Sequence, residues 1–340
     1  MELTERLSGY RSCAVIGMEK NTGKTECLNH ILAHYPSGRV IAVTSIGVDG
    51  ERSDRVTETP KPEIFLREGV IFSTSETHYR QRRLDAEILG FSNEFTSLGR
   101  VVIARTRCPG KVMLSGPSTA NGLKRWMGEL SPWHPDFVLV DGALSRRSSA
   151  SPAVTEALVL TTGAAYSLHF PTLLRDTALQ VEWIRLPETD LASRDALAAV
   201  EGGMRVAAAD GEWYDPGLAT ALNLRNHKWP SESEARAVFF AGAFTDAIAN
   251  ALVNVPFFSE AEIVVRDFTR IFLSPQVYRL LVNKGFRISV LWRASVAAIC
   301  VNPLSPTGYV MDSERLCAEM AEAVRLPVYD LRRGTECSLT

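Results

Sequence analysis

The order of patterns near the start of the chain narrows the fold more than any other feature. An apolar run, Cys13-Ala-Val-Ile-Gly17, passes into the polar, glycine-bounded segment Met18-Glu-Lys-Asn-Thr-Gly23. The next residues place Cys27, Leu28, Ile31, Leu32 and Tyr35 on one helical face. A second apolar run, Arg39-Val-Ile-Ala-Val-Thr44, follows. Buried strand, helix and buried strand make a βαβ unit, with parallel strands and a right-handed crossover. The alternation continues along the chain, so the expected fold class is α/β: a mainly parallel sheet flanked by helices, with a C-terminal α/β extension.

Further strands are expected at Val70–Phe72, Ala86–Leu89, Arg100–Ala104 and Val112–Ser115, the last two joined by a hairpin-like turn at Cys108-Pro-Gly-Lys111. Ser118 is placed to cap a helix running to Leu130. Phe137–Asp141 and Ala157–Leu160 read as strands, and Thr172–Leu186 as a helix. Residues 51–68 read as a surface loop. Residues 188–235 change character, with more Ala, Gly and acidic residues, and mark a linker or insertion. The boundaries are therefore 1–187 for a first domain and 236–340 for a C-terminal α/β region, which either stands alone or completes the first sheet. That last region carries strands at 237–241, 262–266, 287–291 and 296–301, and helices from Thr245, over Pro275–Asn283 and over 312–324.

Composition closes off several classes. Lys and Arg number 37 against 39 Asp and Glu, a net charge of −2, so a generally basic, nucleic-acid-binding surface is not expected. The most apolar stretch, Val238–Phe258, contains Asp246, Asn250, Asn254 and Pro256 and reads as a strand and core helix, so no membrane span is expected. The first residues carry acids and no apolar run, so no secretory signal is expected. The six cysteines show no C-x-x-C pair and read as reduced thiols of a cytoplasmic protein.

The segment Gly17-Met-Glu-Lys-Asn-Thr-Gly23-Lys24-Thr25 concentrates the chemistry. Glycines let a strand-to-helix turn aim successive N–H groups at phosphate oxygens, and the positive helix end adds to that field. Lys24 would reach the β- and γ-phosphates and the Thr25 hydroxyl would ligate Mg²⁺, with Gly17, Asn21, Thr22, Gly23 and Glu26 in the same loop and first helical turn. The spacing is one residue longer than the usual form: five residues separate the first glycine from Gly-Lys-Thr. Phe137-Val-Leu-Val-Asp141-Gly142 delivers a carboxylate to the end of a strand, where it can hold Mg²⁺. Asp49, just past the second strand, reads from its sequence as an Asp-Gly turn closing that strand. Asn302, at the end of a late strand, has an amide able to read a purine edge, although Asn-Pro and Ser-Pro turns explain the same residues.

Together these motifs resemble the P-loop NTPases of the dethiobiotin synthetase and molybdopterin-guanine dinucleotide biosynthesis type, members of the class that includes signal-recognition proteins. The likeness covers Gly17–Thr25, Val140-Asp-Gly142 and the region from Asn302. It implies a P-loop fold, ATP or GTP with Mg²⁺ as cofactors, and Lys24 and Asp49 as catalytic groups. It also implies a carboxylate in the Asp49 region, Asp49 before Glu51, that orients Mg²⁺ or the attacking group, where the Asp-Gly turn is the equal alternative. Many members carry a second loop lysine five residues before the phosphate lysine, acting across a homodimer; Glu19 stands there and Lys20 is displaced by one. Gly17–Thr25, Val43-Thr-Ser-Ile-Gly-Val-Asp-Gly-Glu51 and Val301-Asn-Pro-Leu-Ser-Pro306 also resemble P-loop reactivation components of cobalamin-dependent amino-acid aminomutases. Three outputs follow: triphosphate hydrolysis that assists a protein partner; ATP-dependent ligation of a small-molecule acceptor, using Thr44–Asp49 and the loop at 105–120; and nucleotide-dependent regulation without turnover. Arg146, Arg147, and Arg266 with Asp267 are lesser candidates for phosphate or substrate contact. His30 and His34 have metal-compatible spacing, but no Glu falls between them and no metal is expected there.

Overall fold

The computed structural model describes residues 1–47, 64–142, 151, 154–191, 194–218, 220–230, 234–333 and 335–337. In chain order, α1 (Leu3–Leu7), β1 (Ser12–Gly17), α2 (Lys24–His34) and β2 (Ile41–Ser45) are followed by β3 (Ile64–Leu66), β4 (Ile71–Ser75), α3 (Glu76–Arg80), β5 (Arg83–Thr96) and β6 (Gly99–Val112). Next come α4 (Ala120–Glu129), β7 (Phe137–Asp141), β8 (Ala157–Gly163), α5 (Phe170–Ile184), α6 (Arg194–Ala198), β9 (Met204–Ala207) and β10 (Trp213–Tyr214). Then follow β11 (Ala237–Phe240), β12 (Phe244–Thr245), α7 (Asp246–Leu252), β13 (Glu262–Val265), β14 (Ile271–Phe272), α8 (Pro275–Asn283) and β15 (Ile288–Val290). The chain ends with β16 (Ser295–Asn302), α9 (Ser313–Val324), β17 (Val328–Asp330) and β18 (Thr335–Cys337).

Two compact units emerge: residues 1–178 with 295–340, and residues 179–294. The first holds an 11-stranded sheet in the order β18-β17-β16-β8-β1-β7-β2-β4-β6-β3, with β5 paired to β6. From β17 to β4 every pairing is parallel; β18 and the β3, β5 and β6 group are antiparallel. The fold is thus α/β with a large, mainly parallel mixed sheet flanked by helices. Residues 295–340 return to the first sheet, whereas 236–294 build the second unit, so the region 236–340 expected as one piece is divided between the two. The 188–235 segment supplies β9 and β10 of the second unit's 5-stranded sheet, β10-β9-β11-β13-β15.

Burial explains the apolar runs. Every residue of β1 and of β8 is buried, as parallel strands covered on both faces require. Alternation then sorts the strand by face: Cys13 and Val15 join Cys27, Leu28, Ile31 and Leu32 of α2 in one core cluster. α2 keeps its strand-adjacent position through those buried aliphatics, each worth about 1.5–3 kcal/mol relative to exposure. In the second unit, Val238 and Phe240 enter one cluster while Ala237 and Phe239 enter another, so β11 also packs on both faces.

Several local expectations are corrected. Strands 100–104 and 112–115 are not joined by a turn at Cys108–Lys111; β6 runs through that segment unbroken, and the hairpin is formed with the equally long, 14-residue β5. The register explains why Pro109 and Gly110 are tolerated. Arg83 faces Lys111 but Asp85 faces Cys108, so the extra β6 residue is taken up as a bulge. At Gly110 a Cβ would lie 2.1 Å from the Arg83 carbonyl oxygen, which demands glycine at that crossing. The α4 cap is Thr119, not Ser118: its hydroxyl accepts from Gly122 N at 3.0 Å. Within the expected 51–68 loop, Ile64–Leu66 is a strand, recruited by antiparallel pairing to Gly110–Val112. The reading of all six cysteines as reduced fails at Cys317, which is disulfide-bonded; Cys13, Cys27, Cys108 and Cys300 are free. Spacing along the chain carries no information on such a pairing. Among the described residues no helix is long and apolar enough to cross a membrane.

Gly110→Ala is expected to lower stability by about 1–3 kcal/mol in chemical denaturation, because the obstructing atom is backbone and cannot rotate away. Gly128→Ala, inside α4 with nothing within 4 Å of the new Cβ, is expected to raise stability by about 0.5–1 kcal/mol.

Candidate functional site

Parallel register brings the ends of four strands of the first unit together. Val15 of β1 faces Asp141 of β7, Gly17 faces Thr161 of β8, and Gly163 of β8 faces Asn302 of β16. The segment from Gly17 to Thr25 therefore leaves β1 with all three neighbouring carboxyl ends beside it. Such edges are where open α/β sheets place their ligands.

The loop is tied down from within and from β8. Met18 N donates to the Thr161 carbonyl at 2.9 Å. The Thr22 hydroxyl, on a residue only 1% exposed, donates to the Glu19 carbonyl at 2.9 Å and lies 3.1 Å from Thr161 Oγ1. Asn21 and Gly23 adopt left-handed backbones, with φ of 62° and 92°. Gly23 also stands at the N-cap of α2, where a side chain would ordinarily accept from the first-turn N–H groups; none does here. The start of α2 thus has no cap side chain accepting from its first-turn donors, an arrangement suited to an anion.

Asn302 holds this loop in shape. Its Nδ2 donates to the Asn21 carbonyl at 3.3 Å, its Oδ1 accepts from Leu304 N at 3.1 Å, and its Cβ leaves only 3.0 Å for any Cβ at Gly23. Asn302 is 8% exposed. Both ends of the amide contact the protein, the Leu304 bond in the turn that the sequence offered as one alternative, so in this geometry Asn302 braces the loop.

Lys24, the first residue of α2, reaches back over the sheet edge. Its Nζ is 2.7 Å from Asp141 Oδ1 and donates to the Gly142 carbonyl at 2.6 Å. The two side chains are 29% and 21% exposed. The pair is partly exposed, so water weakens its attraction and its contribution is about 0–1 kcal/mol. Thr25 is partly buried in the first turn of α2, and Glu26 is exposed beside it. Asp49, Glu51, Arg146 and Arg147 lie outside the described residues. His30 and His34 stack with ring centroids 4.4 Å apart, and His34 Nδ1 lies 2.9 Å from the His30 carbonyl, a contact between neighbours one turn apart. Among the described residues, no group of three or more His, Cys, Asp or Glu is placed to hold a metal.

Two further groupings flank this edge, the first between the two segments that the ligase expectation pairs. Residues Ser115–Pro117 strap the carboxyl end of β2: Gly47 N donates to the Pro117 carbonyl at 2.8 Å, and Ser73 Oγ donates to the Ser115 carbonyl at 2.9 Å. Buried His78 places Nδ1 2.7 Å from Ser115 Oγ. This brings part of the 105–120 segment to Thr44–Gly47, while 105–112 is strand. Separately, Thr22, Gly23, Glu26, Asn302, Leu331 and Arg332 line a small cleft on the β16 and β17 side of the loop. The Thr161-Thr-Gly163 ending of β8 was the one available signal for the first contact of the loop with its neighbour. Behind the loop, the Sγ atoms of Cys27 and Cys300 are 3.6 Å apart. The contact with Cys300 and burial push the Cys27 thiol up, so it packs as a neutral group.

Asn302→Ala is expected to cost about 1–3 kcal/mol in urea unfolding, because it leaves the Asn21 carbonyl and Leu304 N–H without their partner. Lys24→Ala is expected to change stability by no more than about 1 kcal/mol. Equal losses in the two variants would show that the brace and the ion pair had been ranked wrongly.

Compared with known proteins, the chain matches no family model, no curated protein and no solved structure.

Proposed function

We propose that the chain is a P-loop NTPase, binding ATP or GTP with Mg²⁺ on the Gly17–Thr25 loop and hydrolysing it. The observation that supports this best is Lys24, with its ammonium 2.7 Å from the Asp141 carboxylate at the uncapped start of α2. In this reading Lys24 exchanges Asp141 and the Gly142 carbonyl for β- and γ-phosphate oxygens. The N–H groups at the start of α2 take the remaining phosphate charge, and the helix dipole adds to their field.

The oxygen donors fit Mg²⁺. The ion is commonly held by one or two protein groups, with phosphates and water filling its other positions. Asp141, once released by Lys24, and the Thr25 hydroxyl are the groups that would hold it. When bound, it would neutralise charge developing on the phosphate oxygens. The protein's own part is positioning: Thr22, Thr161 and Asn302 fix the loop, and Lys24 stabilises charge developing on the transferred group. Asp49 enters this proposal only through the family resemblance, as the group that orients the attacking water.

Lys24→Ala is expected to abolish binding of a fluorescent ATP analogue, at least a hundredfold in Kd, while thermal unfolding stays close to that of the parent chain. Normal binding by that variant would remove Lys24 from the site. Phosphate release by the purified chain, assayed alone, with small carboxylate or amine acceptors, and with a cobalamin-dependent aminomutase, then separates the outputs. We expect release to rise with the protein partner, as a reactivation component requires. A rise with a small acceptor alone indicates the ligase, and tight binding without release indicates the regulator.

A further inference from the structure

We propose that the second unit carries its own oxyanion site, in which Arg266 and Arg270 receive the carboxylate or phosphate group of a small molecule. The site lies within residues 179–294 and is independent of the nucleotide reading.

Arg266 follows the last residue of β13, at the carboxyl edge of the parallel strands β11, β13 and β15. Its carbonyl accepts from Leu291 N at 3.1 Å and Trp292 N at 3.0 Å, which locks the backbone against the end of β15. Its side chain reaches the other way, Nη2 donating to the Val200 carbonyl. Arg270 closes the short helical turn after β13, a turn capped by Asp267, whose Oδ1 accepts from Thr269 N at 2.9 Å and also from the Thr269 hydroxyl.

The two guanidiniums are under-compensated. Their Nε donors are buried without a hydrogen-bond partner among the described residues, a costly state that folded proteins generally avoid. Burial first, and then the charge of Arg270, pull Arg266 below the usual arginine range; Asp267 and Glu201 offset only part of this. Like charges held at one partly buried edge favour a bound anion. Arginine's planar fork matches the paired oxygens of a carboxylate or phosphate.

Open space lies along the same edge. Ala241 N donates to the Gly203 carbonyl at 3.2 Å, so the Gly202-Gly203 turn meets the end of β11 at the same edge. At Gly202, Gly203 and Gly242 an added Cβ would have no atom within 4 Å. Ligands of open α/β sheets collect at this edge, beyond the carboxyl ends of the strands.

Titration calorimetry of the full chain at constant ionic strength, with inorganic phosphate and separately with succinate, tests the proposal. The Lys24→Ala background is used so that the first unit's loop does not contribute. At least one of the two anions is expected to bind, and whichever binds tighter tells whether the natural group is a phosphate or a carboxylate. Adding Arg270→Ala is expected to weaken binding at least tenfold, Arg270→Lys to restore part of it, and Arg266→Gln to repeat the loss. Absence of binding by either anion at millimolar concentration overturns the proposal, as does undiminished binding by folded Arg270→Ala and Arg266→Gln. In the Lys24-containing chain, Arg270→Ala is expected to leave nucleotide affinity unchanged, so failure here and failure of the nucleotide reading are seen separately.

Discussion

Parallel pairing of β1 on both sides is the constraint from which the rest of the first unit follows. With β7 on one flank and β8 on the other, β1 has no exposed face and no free edge. Its chain can emerge only at the carboxyl end, where β7 and β8 also end. Gly17 therefore opens between Thr161 and Asp141, and whatever the next residues do, they do it there. Several of the polar side chains of this sheet collect at its carboxyl edge: Thr161 and Thr162 on β8, Asp141 on β7, Asn302 on β16.

Two kinds of polar contact at that edge have opposite consequences. The Thr22, Thr161 and Asn302 contacts are buried, and a buried hydrogen bond is expensive to leave unmade. They set the shape of the loop and have little reason to exchange. Lys24 and Asp141 face solvent in part, where water and salt weaken their attraction. One set therefore fixes geometry while the other remains available. The same division recurs in the second unit, where Arg266 is anchored through its carbonyl and its Nη2 while its Nε lacks a partner among the described residues.

Much of this was legible from the sequence because it is local. Strand β1, helix α2, strand β7 and helix α8 depend on short apolar periodicities that tertiary context reinforces, and α8 runs over Pro275–Asn283 as its pattern requires. The Cys108–Lys111 segment misled because Pro-Gly is a turn signal, whereas a bulge opposite β5 accommodates it within one strand. At Asn302 the sequence left several roles open, the turn among them, and Leu304 N donating to its Oδ1 is such a turn contact. An Asn-Pro pair at a strand end is compatible with a turn, a ligand contact or a brace, and only the proximity of Asn21 and Gly23, nearly the whole chain away, selects among them.

Local chemistry thus determined that an α/β chain would carry a glycine-rich turn with Lys24 and Thr25 at a helix start, and that Asp141 would end a strand. Side-chain periodicity and backbone freedom are properties of neighbouring residues, so they survive in the linear text. Tertiary structure alone decided that β7 lies beside β1, that residues 295–340 return to the first sheet, that Lys24 meets Asp141, and that Arg266 and Arg270 crowd one edge of the second. Those outcomes depend on which distant strands pair and in what register, and the free energy that chooses among pairings is spread over whole buried faces rather than written at any one position.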